Sequence, residues 1–186
     1  GGFGLGIIGY FVPRVLGVGY DTISGILNNQ LPLNILLTVM VFKSLALLVS
    51  LGSGTSGGLL APMFMASAAM GGVLAILLNT ASPGLNLAPG AFALAAMAAV
   101  FGAASRSTFA FIIFAFEITQ DYNAILPLML VCVIADGVAL FFMRDTIMTE
   151  KLARRGLRVP QEYEADVLRQ VTVGSMMDPA PMTLAS

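Results

Sequence analysis

SGTSGGLLAP, residues 53–62, sets small polar residues and three glycines directly before an apolar run that a proline helps to open. Two chemistries use such a stretch. Gly54, Ser56 and Gly58 match the G-x-S-x-G form that presents a serine nucleophile on a sharp turn. A glycine-rich loop feeding a helix start is also how a chain holds an anion on bare backbone. The two readings predict different proteins.

A serine becomes a nucleophile through a base, usually a histidine oriented by a carboxylate, and this chain has no histidine. Lys43 is a conceivable base, but it lies inside an apolar segment with no reason to meet Ser56. The residues therefore argue against an enzyme. A nucleotide phosphate loop fares no better, because Leu59-Leu60 stands where Lys-Ser/Thr must follow the last glycine. The anion reading asks for less. A helix that begins near Gly58 leaves its first N–H groups unpaired at the positive end of its dipole. Pro62 falls in the first turn or so, where a missing N–H is tolerated, and Ala61 completes that start. Gly57 and Gly58 allow tight backbone approach. Leu59 and Leu60 present their amides in a dry setting, where a partly dehydrated anion is held more strongly than in water. No side-chain charge is needed, which suits an ion that must also leave.

Composition places this helix start in a membrane. Hydrophobic residues make up 58% of the chain and charged ones only 10%, far from the balance of a soluble domain. Residues 1–143 carry seven charges (Arg14, Asp21, Lys43, Arg106, Glu117, Asp121 and Asp136) and the remainder carries twelve. That is a membrane body followed by a soluble tail. The net charge of −1, with no basic stripe among aromatics, excludes a nucleic-acid partner. A single cysteine, Cys132, excludes an intrachain disulfide. The first residues lack a signal peptide's charged region and cleavage site, and the chain does not open on Met, so a missing N-terminal part is expected.

A spanning helix needs about 20 apolar residues. Residues 35–51, 59–78 and 124–143 reach or approach that length, whereas 3–12, 91–104 and 109–118 fall short. Gly- and Pro-rich breaks at 13–19, 52–58, 82–90 and 102–107 interrupt them. Irregular backbone in lipid must be buried in protein or line a watery cavity, so helices are expected to stop partway across, as in transporters that hold ions at half-helix ends. Small residues such as Ala68, Gly71, Gly72 and Ala98 suit close helix packing. Arg144, Lys151, Arg154, Arg155 and Arg158 follow the last apolar segment, which places the C-terminal end in the cytoplasm. Residues 145–155 can form a helix with acids first and bases last.

Four charges lie in or beside apolar segments. Lys43 either snorkels or pairs with an acid such as Asp136, or else contributes to an ion's field. Arg106 sits at a helix junction, where it can bond exposed carbonyls. Glu117 precedes the polar TQDYN turn and can rest at the interface. None has ligand spacing for a metal, and no cofactor is expected.

The ordered motifs resemble one family. GSGTSGGLLAPMFMASAAMGG is similar to the G-x-F-x-P segment of the CLC chloride channels and chloride/proton antiporters, with Gly58, Leu59, Leu60, Ala61 and Pro62 in its positions. FEITQDYN fits the family's F-E-[ILM]-T-x-[DN]-Y form, DTIMTEKLARRG is like its last membrane helix, and VTVGSMMDPAPMTL is like the opening of a CBS domain. The resemblance implies an all-α membrane protein of broken, tilted helices. Residues 1–156 would be the second inverted repeat of a CLC-type domain, and 157–186 a cytoplasmic linker with a truncated CBS start. It implies a homodimer in a lipid bilayer that transports chloride or a similar small anion, as channel or antiporter, with the amides of Leu59 and Leu60 as anion ligands. The family's serine loop, gating glutamate and inner acid belong to the missing N-terminal half. Two departures stand out. Leu60 replaces the usual phenylalanine, and Met148 occupies the position of a tyrosine whose hydroxyl touches the anion; methionine cannot donate that bond. Another broken-helix transporter for an organic anion, or a non-transporting membrane scaffold, are the alternatives.

Overall fold

In a computed structural model, the described residues are 1–149 except Thr55, Ser56, Pro83, Asp121, Arg144, Asp145 and Met148. They form seven α-helices and no strand: α1 (Gly2–Phe11), α2 (Tyr20–Leu27), α3 (Leu33–Gly52), α4 (Leu60–Ala81), α5 (Pro89–Ser105), α6 (Thr108–Thr119) and α7 (Ile125–Phe142). Short 3₁₀ turns at Pro13–Val15 and Tyr122–Ala124 precede α2 and α7. The long apolar runs of the sequence become α3, α4 and α7, and the short ones become α1, α5 and α6. Among the described residues three helical stretches are long and apolar enough to cross a membrane: Leu33–Gly52, Leu60–Ala81 and Tyr122–Phe142. α6, with 12 residues, is about 18 Å long, well short of a hydrocarbon core of about 30 Å. α2 was not among the apolar segments of the sequence; Asp21, Thr22 and Ser24 interrupt it, yet Ile23 and Ile26 still supply a buried stripe.

α4 is the centre. Over half of its most apolar stretch is buried, 56% against 17% for α3 and 11% for the last helix, and it packs on α2, α3 and α5. Small residues make this possible. A Cβ at Gly71 would run into the Phe92 carbonyl and stand 2.8 Å from the Ala93 Cα, so α4 and α5 meet backbone to backbone. The adjacent Gly72 faces the other way, where a Cβ would lie 3.2 Å from Leu36 of α3. This is the close approach by which helices associate in lipid, where no hydrophobic force pushes them together. Larger side chains fill the ends: Phe64, Phe101, Phe111 and Phe114 form an edge-and-tilt cluster with ring centroids 4.7–6.0 Å apart. A second core joins α5, α6 and α7 through Leu94, Ala98, Ile112, Ala115, Leu128 and Cys132.

The breaks are fastened by polar groups. Asn79 near the end of α4 donates to the Leu87 carbonyl and accepts from the Leu87 amide, both at 2.8 Å, pinning the loop back on its helix. α5 opens with Pro89 at its first position. Its next amide, Gly90, donates to Asn29 Oδ1 at 2.6 Å, a cap supplied from the end of α2, 61 residues earlier in the chain. α5 ends on Arg106 in the left-handed conformation, φ 54°. The compact unit that holds these elements runs over Gly1–Met148; of the expected helix at 145–155 only Thr146, Ile147 and Thr149 are described, and the tail 157–186 lies outside the described residues.

Candidate anion site

The stretch that posed the first question separates α3 from α4. Leu59 precedes α4 in right-handed conformation without a side-chain cap, and Leu60, Ala61 and Pro62 form the first turn. Met63 is the first residue there whose amide is bonded, to the Leu59 carbonyl at 3.1 Å. Among the described residues the amides of Gly58, Leu59, Leu60 and Ala61 have no partner, and Pro62 has no amide to offer. Four N–H groups are therefore left at the positive end of the most buried of the three membrane-length helices. Gly57 and Gly58 are exposed, and a Cβ on either would meet nothing within 4 Å. Ser56 lies outside the described residues.

A cavity of about 220 Å³ opens onto this helix start. Gly57, Gly58, Leu59 and Pro62 line one wall; Val15, which ends the first 3₁₀ turn, and Leu16 and Gly17 after it line another, and Lys43 and Ser50 come from α3. Lys43 is 4% exposed. Its Nζ donates to the carbonyls of Val15 at 2.7 Å and Gly17 at 2.8 Å. Thus the intramembrane lysine neither pairs with Asp136 nor snorkels: it ties the middle of α3 to irregular backbone next to the glycine loop. Sequence reasoning missed this tie, since main-chain acceptors 26 and 28 residues away leave no residue-type signal.

On its other side the helix start meets the segment after α7. Ile147 donates its amide to the Ala104 carbonyl at 3.3 Å. Its side chain shares an apolar crevice, with no room for water, with Leu59, Met63, Phe101 and Ala104. Met148 lies outside the described residues, but its neighbour is thus packed on the first turn of α4. The three remaining charges are elsewhere. Arg106 donates to the Met143 carbonyl at 2.9 Å and so joins the C-terminal ends of α5 and α7. Glu117 is exposed near the end of α6. Asp136 follows Leu128 and Cys132 along the buried stripe of α7, and its Oδ1 is buried without a hydrogen-bond partner among the described residues. Among those residues no group of His, Cys, Asp and Glu is placed to hold a metal.

Residues 1–140 match the profile of the family described as voltage gated chloride channel. Several relatives carry the name H(+)/Cl(-) exchange transporter ClcA. The Vibrio cholerae protein is 35% identical over 67% of this chain and 27% of its own length. The Vibrio parahaemolyticus protein is 31% identical over 80% of this chain and 32% of its own length, and the Citrobacter koseri protein 28% identical over 89% and 35%. The chain spans about a third of the length of these relatives. With apolar helices, an uncapped helix start behind a glycine loop and a family match over three quarters of its residues, the chain is an integral membrane protein and belongs to the voltage gated chloride channel family.

Proposed function

We propose that the chain is part of a protein that transports chloride across a membrane, as channel or proton exchanger, and that the α4 start supplies anion ligands. The observation that carries this reading is the set of four amides, Gly58 through Ala61, that have no partner among the described residues, beside a cavity at the start of α4. An anion there is stabilised by dipoles that cost no reorganisation when it arrives, and no fixed counter-charge holds it too long. The names of the relatives supply chloride as the ion. In this reading the protein is a multi-pass homodimer whose C-terminal end, with its run of arginines, faces the cytoplasm.

Leu60→Pro deletes one amide while keeping an apolar side chain, and proline is tolerated in a first helical turn. Leu60→Phe keeps the amide and changes only the wall. In liposomes containing the full-length protein, the first variant is expected to reduce chloride flux at least about tenfold, the scale of one hydrogen bond to a charge, and the second to retain it. Equal flux from wild type and Leu60→Pro would remove the amides from the mechanism. Dependence on sodium, or indifference to chloride, would overturn the substrate.

A further inference from the structure

We infer that Lys43 is a positioning residue for the anion path: its ammonium masks the carbonyl oxygens of Val15 and Gly17, two residues of the cavity lining, keeping that cavity attractive to an anion. The inference rests on the chloride reading above. Val15, Leu16 and Gly17 share the cavity with Gly57, Gly58 and Leu59, so one wall is rich in amides and another in irregular backbone. In the 3₁₀ turn the amides of Val15 and Leu16 are already used, donating to Val12 and Pro13 at 3.0 Å. The carbonyls of Val15 and Gly17 go instead to Lys43 Nζ. Bare carbonyl oxygens present partial negative charge and would oppose an anion on the amide wall. A neutral donor would satisfy them, whereas an ammonium satisfies them and leaves net positive charge. Burying that charge in the middle of a 20-residue membrane-length helix is costly. A polar neutral residue would suffice for a purely structural tie.

The test uses the full-length protein in detergent and liposomes, with Lys43→Gln, Lys43→Arg and wild type. Chloride binding is measured by calorimetry, folding by thermal unfolding, and anion-over-cation selectivity by reversal potential. Lys43→Gln still donates to carbonyls, so its unfolding temperature should stay near wild type while chloride affinity falls about tenfold and selectivity drops, as expected for a lost charge in a low-dielectric site. Lys43→Arg should restore affinity to within about threefold, since charge and donors remain. Wild-type affinity and selectivity in folded Lys43→Gln overturn the inference and leave the chloride reading standing; absence of chloride binding by wild type overturns both. Should Lys43→Gln fail to fold, ¹⁵N-lysine spectra of wild type, with Lys43→Arg for assignment, decide. The Lys43 signal should move with chloride at the calorimetric midpoint, and a signal indifferent to chloride overturns the inference.

Discussion

Gly71→Ala is a sharp probe of how α4 is held, because the obstacle is backbone. The added Cβ would collide with the Phe92 carbonyl and sit 2.7 Å from its carbon and 2.8 Å from the Ala93 Cα, where ordinary contact begins at 3.4 Å. Neither atom can turn aside as a side-chain tip can. α4 and α5 must therefore part by about 0.7 Å or more, loosening the small-residue seam along both helices. Overpacking of this kind costs about 3 kcal/mol at its upper end. Replacing glycine by alanine inside a helix returns about 1 kcal/mol, leaving a net loss near 2 kcal/mol. Gly137, in α7, is the control: a Cβ there meets nothing within 4 Å, so alanine should gain about 0.5–1 kcal/mol. The two variants should differ by roughly 3 kcal/mol, on the order of a hundredfold in the unfolding constant. Reversible unfolding in mixed micelles reads this difference. If Gly71→Ala proves as stable as Gly137→Ala, the backbone contact between α4 and α5 is wrong.

Two further outcomes are expected. Asn29 sits at φ 58° and caps Gly90 of α5; Asn29→Ala should cost about 2 kcal/mol through both effects, and Asn29→Gly about 1 kcal/mol through the cap alone, read from the same unfolding curves. Met148→Tyr restores a hydroxyl donor at the position where the family resemblance expects one and should tighten chloride binding about tenfold by calorimetry; unchanged affinity would show that this residue does not face the anion.

Much of the fold was legible because lipid makes simple demands. Runs such as 35–51 and 59–78 are long enough to need no partner for recognition, and the glycines and prolines at 52–58 and 82–90 mark where a helix cannot continue. α2 escaped notice because Asp21 and Ser24 dilute a stripe that only tertiary packing reveals as buried. At the site, the helix start was readable from Gly57 to Pro62, since glycine before and proline within a first turn are properties of residue type. The surroundings were not. Lys43 was recognised as an unusual charge, but its acceptors are main-chain oxygens, which every residue possesses and none advertises. Asn29 reaching Gly90 across 61 residues is hidden for the same reason: one partner of the bond is anonymous.

The buried strip of α4 also bears on how the protein is made. Ser67, Ala68, Gly71, Gly72 and Ala75 face neighbours in the finished structure, yet α5 leaves the ribosome after α4. At ~5–20 residues per second the delay is on the order of seconds. During that time α2 and α3 can already cover the Gly72 side, but the face that α5 will close has only lipid beside it. An unsatisfied hydroxyl would be a burden there, but Ser67 Oγ already donates to the Met63 carbonyl of its own helix at 2.7 Å. The helix can therefore enter the bilayer alone and remain there, with no polar group exposed on that strip, until α5 arrives to close on it.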